Sequence, residues 1–277
     1  MSRTLKIVLA YDGTDLVGWQ RQPAGESVQS LLEAALGAVD ERPVTVVGAG
    51  RTDAGVHALG QVASCRLHHP LPAGQLARAL NARLPAHVRV LHVEDAPAGF
   101  HARYGARAKT YRYLILNDAI ASPFERRYVW HVPRPLDLGR MAEAAAHLEG
   151  AHDFAALQAA GSATRTTVRT VAFARWRVAE TAEGARWLAL AARPAGGRLL
   201  AFEMCGDGFL RHMVRNAVGT LAEVGLGRRE ASSMAGLLAS GDRALAGPTA
   251  PACGLFLVGV DYGAPAAGSL APPGGSL

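Results

Sequence analysis

The chain has 277 residues, 49% hydrophobic and 19% charged; this is enough apolar material for one large or two small domains and excludes a largely disordered polypeptide. Its formal charge is +6, and all but two of its 29 basic residues are arginine, the exceptions being Lys6 and Lys109, a balance that fits a phosphate-bearing partner as well as it fits a genome that writes Arg for Lys. No run is long enough for a membrane span, Met1 is followed by no leader-like apolar stretch, and the widely spaced Cys65, Cys205 and Cys253 form neither a disulfide framework nor a CxxC pair, so a reducing, cytoplasmic setting is the expectation.

Taken in order, residues 5–11 place Leu5, Ile7, Leu9 and Tyr11 on one face and predict a strand. Ser27 is a natural N-cap for a helix in which Val28, Leu31, Leu32, Ala35, Leu36 and Val39 recur at three- and four-residue steps. Residues 44–47 and 61–67 read as strands. Residues 75–84 read as a helix stopped by Pro85, and 88–93 as a further strand. The order β-α-β-β-α-β is the split unit of ferredoxin-like folds. From Lys109 onward a similar order returns. It comprises a strand at 110–116, an Ala-rich helix at 136–148, strands at 168–178, 186–192 and 199–204, a helix at 208–224 closed by Gly225, and a strand at 255–260. The expected class is α+β with two such halves, 1–104 and 105–262, and a cleft between them as the natural substrate site. Residues 263–277, Gly, Ala, Pro and Ser with little else, are expected to be disordered.

The densest chemistry lies in Gly48-Ala49-Gly50-Arg51-Thr52-Asp53-Ala54-Gly55-Val56-His57-Ala58. A dinucleotide fingerprint would need glycine where Asp53 stands, and no Gly-Lys-Ser/Thr follows for a phosphate-binding loop. What remains is a tight turn presenting Arg51 and Asp53 together. A structural Asx turn around Asp53 is the plain alternative. In the predicted helix 208–224, Arg211 and Arg215 are four apart and so share a face, for which a solvated basic face is the plain alternative. Along 110–115, Tyr111, Tyr113 and Ile115 alternate with Thr110, Arg112 and Leu114, so one face is buried, with Tyr113 the better core residue. Arg103, Arg107, Lys109 and Arg112 make a basic run between the halves. The histidines, His68 and His69 among them, lack metal-ligand spacing and read as surface residues.

Tyr11-Asp12-Gly13-Thr14 with Gly18-Trp19-Gln20, the Arg51–His57 block with Gly60-Gln61, Phe100-His101-Ala102-Arg103 with Tyr111-Arg112-Tyr113, Gly208-Phe209-Leu210-Arg211-His212-Met213-Val214-Arg215-Asn216, and the closing residues 251–257 occur in that order. Together they closely resemble the tRNA pseudouridine synthase A family over nearly the whole chain. Leu157 stands where relatives often carry an aromatic residue, and the tail beyond Tyr262 has no counterpart. The resemblance implies the pseudouridine synthase fold, a homodimer, and isomerisation of uridine to pseudouridine at nucleotides 38, 39 and 40 in the anticodon arm of tRNA, with no metal or cofactor. It implies that Asp53 is the catalytic carboxylate, Arg215 its cationic partner and Tyr111 the ring against which an extruded base stacks. Arg51 is expected beside the departing base or its phosphate. Arg211, Arg103 and Lys109 are expected RNA contacts. An ionised carboxylate meets the positive character that develops at the sugar C1′ when the glycosidic bond breaks. Attack on the sugar, addition to the uracil ring and removal of a sugar proton all stay open as the role of Asp53; all three need it ionised, and a buried carboxylate needs a nearby cation to stay so. Two other classes compete. An RNA-binding module without chemistry has no use for a carboxylate facing phosphates. A small-molecule enzyme on a ferredoxin-like fold fits poorly with the arginine excess.

Overall fold

Alternation of apolar residues makes β1 (Arg3–Tyr11) a strand buried on one face. Around it, in a computed structural model that describes residues 2–159, 161, 164–179 and 197–263, the chain builds one large sheet. The elements that follow are α1 (Val28–Asp40), β2 (Val47–Gly48), β3 (His57–Leu67), α2 (Ala73–Asn81), β4 (Val88–Ala96), β5 (Ala108–Asn117), β6 (Trp130–His131), α3 (Leu138–Ala146), β7 (Gly150–Asp153), β8 (Val168–Val178), β9 (Arg198–Gly206), α4 (Met213–Gly225), α5 (Ser233–Ser240) and β10 (Leu255–Asp261). The strand order is β4-β1-β3-β10-β5-β9-β8-β7, with β2 on β3 and β6 on β5. Pairing is antiparallel except at β10–β3 and β5–β6. The result is a mixed α+β fold with a mostly antiparallel sheet. Among the described residues no helix is long and apolar enough to cross a membrane.

The core follows the strand pleat. Leu5, Ile7 and Leu9 of β1, Tyr111, Tyr113 and Ile115 of β5, and Leu200, Phe202 and Met204 of β9 join one continuous apolar cluster with the inner faces of the helices. Leu114 and Leu116, on the other face of β5, pack with Val129, Leu199 and Phe256 beneath the 118–129 loop. A third cluster of Ala49, Val62 and Ala102 seats residues 97–107 beneath the segment before Asp53. Strand β10 lies between β3 and β5. It pairs with β3 only through Phe256↔His57 and Leu257↔Ala58, but with β5 along its length.

Several elements differ from expectation. The strand expected at 44–47 shrinks to Val47–Gly48, because side chains of α1 take the backbone groups of Val46. Glu33 Oε1 accepts its N–H at 3.0 Å and Gln29 Nε2 donates to its carbonyl at 3.1 Å. Strand β3 begins four residues before the expected 61. The helix expected over 208–224 starts at Met213, because His212 holds a left-handed backbone with φ 63 and the preceding residues form a turn. Arg211 and Arg215 therefore do not share a helix face: Arg211 precedes the helix and is exposed. The short β6 and β7, and α5 with its small-residue sequence, were not foreseen. The strand expected at 186–192 and residues 264–277 lie outside the described residues.

Candidate active site

The loop from Ala49 to Val56 is tied on three sides. Ala49 N–H donates to Val62 O at 2.7 Å and Trp19 N–H to Thr52 O at 3.0 Å. Gln61 Nε2 donates to Gly50 O at 2.9 Å. The buried Thr52 hydroxyl shares a 2.8 Å hydrogen bond with the Tyr11 hydroxyl, and burial raises the Tyr11 pKa to about 12, so that phenol stays neutral. Gly18, at φ +102, brings the entering chain so close that a Cβ there would lie 2.6 Å from Thr52 O. A local turn, Val56 N–H to Asp53 O at 3.1 Å, lifts Asp53 out of this frame. Among the described residues its carboxylate accepts no hydrogen bond from its own loop, so the Asx-turn reading does not describe it.

Two side chains across the site face that carboxylate. Arg215 Nη1 lies 3.7 Å and His212 Nε2 3.5 Å from Asp53 Oδ2, with Asp53 30% and Arg215 15% exposed. Arg215 is fixed twice: its Nε donates to Ala250 O at 2.8 Å, and its backbone carbonyl accepts from Ala250 N–H at 3.1 Å. Burial lowers the His212 pKa, against the pull of Asp53 and with the help of Arg215, Arg211 and Arg243. At neutral pH the imidazole is therefore uncharged, and the cation facing Asp53 is Arg215. The left-handed backbone of His212, costly for a non-glycine residue by about 1–2 kcal/mol, turns the chain into α4 at this point.

Tyr111 is buried in the middle of the sheet, opposite Leu257 of β10 and Met204 of β9. Its ring meets Phe209 edge-on at 5.0 Å between centroids. Its hydroxyl makes no hydrogen bond among the described residues, and burial, reinforced by Tyr11 and Asp53, raises its pKa. It is thus a neutral phenol near the carboxylate with its hydrogen-bonding capacity free. Tyr113, on the same face, is fully buried and donates to Pro251 O at 2.7 Å.

The basic residues divide. Arg51 is exposed and, among the described residues, has no ion-pair partner. Lys109 packs against Gly50, with its Cε 3.4 Å from where a Cβ would stand. Its pKa is lowered, by burial first and by Arg103 and Arg169 next, while Asp207 opposes. Arg103 is exposed. Arg112 is withdrawn from the basic run: it pairs with Glu203 at 2.6 Å, and Arg177 meets the same oxygen at 3.5 Å.

Sequence reasoning quoted His212, Phe209, Gln61 and residues 251–257 in the blocks that carry the resemblance but gave them no role. It gave none to His57 either, and the expectation that the histidines lie at the surface fails there, because this ring is buried. That ring stacks on Phe256 at 4.7 Å, accepts Gly13 N–H on Nδ1 at 3.0 Å, and turns Nε2 to the carbonyls of Arg127 at 3.0 Å and Cys253 at 3.1 Å. Two carbonyl acceptors require the proton on Nε2. The histidine that ends the Arg51–His57 block was visible in sequence, but its partners are 70 and 196 residues away.

A carboxylate facing a fixed guanidinium, beside a neutral phenol, is an arrangement that general acid–base or nucleophilic chemistry uses and RNA binding alone does not require. The family model described as tRNA pseudouridine synthase matches residues 7–105 and 144–263. The chain belongs to that family and is an isomerase. It is 44% identical over 258 residues to the tRNA pseudouridine synthase A of Syntrophotalea carbinolica, covering 93% of this chain and 96% of the relative. It is 43% identical over 261 residues to that of Solibacter usitatus and 42% over 260 residues to that of Geotalea uraniireducens. Each of these two matches covers 94% of this chain and 100% of the relative.

Proposed function

We propose that this enzyme converts uridines 38, 39 and 40 of the tRNA anticodon arm to pseudouridine, in the cytoplasm and as a homodimer. The observation that carries the reading is the convergence of Asp53, Arg215 and Tyr111, residues 58 and 162 positions from Asp53 in sequence, on one site. The C1′–N1 bond breaks, the uracil turns, and C5 bonds to C1′. N1 ends protonated and C5 gives up its proton, so the reaction is a net isomerisation. Asp53 meets the electron-poor sugar or base, and Arg215 holds the negative charge where it is needed. The Tyr111 ring supports the extruded base. Arg51 stands at the loop tip for the vacated stem or its phosphate, while Lys109, Arg103 and Arg211 bear on the RNA backbone.

We further read residues 1–104 and 105–262 as two ferredoxin-like halves. Supporting this, β4-β1-β3 with β2 outside and β10-β5-β9-β8 have the same internal order. The substrate cleft is read as lying where the halves join. The test is incubation with unmodified tRNA transcript followed by pseudouridine mapping. Wild-type protein is expected to mark nucleotides 38–40 and Asp53→Asn none; marks elsewhere, or none with wild type, overturn the reading.

A further inference from the structure

Residues 101–105 form a tight turn that the chemistry described above does not use. The His101 ring is fixed by its own backbone: Nδ1 accepts N–H from Arg103 at 3.2 Å and from Tyr104 at 3.1 Å, and His101 O accepts Gly105 N–H at 2.9 Å. The turn is anchored below. Ser64 Oγ accepts Ala102 N–H at 3.1 Å, and the Tyr262 hydroxyl donates to Ala102 O at 2.7 Å. On this fixed imidazole lies the ring of Tyr104, stacked at 4.3 Å and 25°. Arg103 reaches over the same ring, 5.9 Å from its centroid. Tyr104 is nevertheless 80% exposed. What sets Tyr104 apart from a singly exposed surface residue is that one face of its ring is held on a fixed imidazole, with an arginine alongside, while the ring stays open to solvent. Its place matters too. Lys109, which packs on Gly50 of the Asp53 loop, lies within electrostatic reach of Arg103 and Arg169, so the turn sits along the same cationic path as the active site.

We propose that Tyr104, backed by His101 and flanked by Arg103, is a stacking platform for an unpaired nucleobase of the RNA substrate outside the uridine pocket. The proposal rests on the tRNA reading above. A π-face of this kind takes any base and prefers none, while the neighbouring arginines hold the phosphate. It is thus a grip on single-stranded or loop nucleotides, distinct from the Tyr111 site, where Tyr104 contributes nothing to chemistry. The ordering entropy is already spent in the protein, since the two backbone bonds to Nδ1 hold the imidazole under the ring before RNA arrives.

The test uses full-length unmodified tRNA transcript and the variants Tyr104→Ala, Tyr104→Phe and Arg103→Ala. Tyr104→Ala is expected to weaken binding about 5- to 150-fold, the range of one lost base stack, and to raise KM more than it lowers kcat. Tyr104→Phe restores affinity, because the ring alone does the work. The slope of log affinity against log salt is unchanged in Tyr104→Ala and shallower by about one in Arg103→Ala. Wild-type affinity in Tyr104→Ala, with an unaltered melting temperature, overturns the platform. So does a Tyr104→Ala protein whose sedimentation changes while its RNA affinity does not, which makes the ring a contact between copies of the chain. Failure of wild-type protein to form pseudouridine counts against the enzymatic reading instead, and the two failures are told apart in one assay.

Discussion

Replacing Arg215 with methionine keeps most of the side-chain length and removes both the charge and the donor to Ala250 O. At the observed 3.7 Å, the attraction between unit charges is about 4–5 kcal/mol at an effective dielectric of about 20, and about 1 kcal/mol in bulk water. With Arg215 15% and Asp53 30% exposed, the pair lies between these limits, and about 2–3 kcal/mol is the reasonable share after screening. If that attraction is used in the transition state, kcat falls about 30- to 150-fold. The lost bond to Ala250 O adds about 1–2 kcal/mol of instability, which separates from catalysis as a lowered melting temperature. Arg215→Lys is the control, because it restores a cation but cannot reproduce the guanidinium's simultaneous reach to Ala250 O and Asp53. It is expected to recover part of kcat. The assay is single-turnover pseudouridine formation at saturating tRNA, read beside thermal melting. A folded Arg215→Met protein with kcat within about threefold of wild type refutes the electrostatic role of the pair.

Other outcomes follow from the same geometry. Asp53→Asn should abolish turnover while tRNA affinity holds or rises, since a charge near phosphates is gone; gel-shift titration beside the turnover assay checks this. Lys109→Ala should lower the slope of log affinity against log salt by about one, and a salt-independent wild-type affinity would remove the phosphate grip altogether. Gly18→Ala should cost about 1–3 kcal/mol or more, because φ +102 strains any side chain and the new Cβ meets Thr52 O; urea unfolding reads this. Burial holds His57 and His212 below the ordinary histidine range. The unfolded chain therefore takes up protons first as pH drops through about 6.5, and stability declines from there until the folded-state values are passed. Melting temperature between pH 8 and 5 should fall on acidification, and less steeply in His57→Gln.

Local pattern made most elements legible. The pleat of β1 and the capped α1 are written in period and in Ser27, whose hydroxyl does accept Ser30 N–H at 3.2 Å. What pattern could not show was competition from afar. Residues 44–46 carry strand-forming residues, yet Gln29 and Glu33 of α1 satisfy Val46 and end the ladder. Residues 208–212 fit a helical period, but Arg211 O is taken by Ala159 N–H at 2.9 Å and His212 turns left-handed. The residues that face each other in the site were nameable because three of them sit in distinctive sequence blocks. His212 lay in one of those blocks too, but nothing local says that its ring meets Asp53. The roles of Ala250 and Cys253 are backbone roles, which residue type does not announce.

Those backbone roles give the last stretch of the fold an outsized part. Ala250 holds Arg215, Pro251 holds Tyr113, and Cys253 holds His57. Strand β10 then lies between β3 and β5 and, among the described residues, is the only strand that pairs with both. Residues 250–261 thus tie Arg215, Tyr113 and His57 to one backbone segment, so a change that loosens this segment is expected to disturb both sides of the site at once.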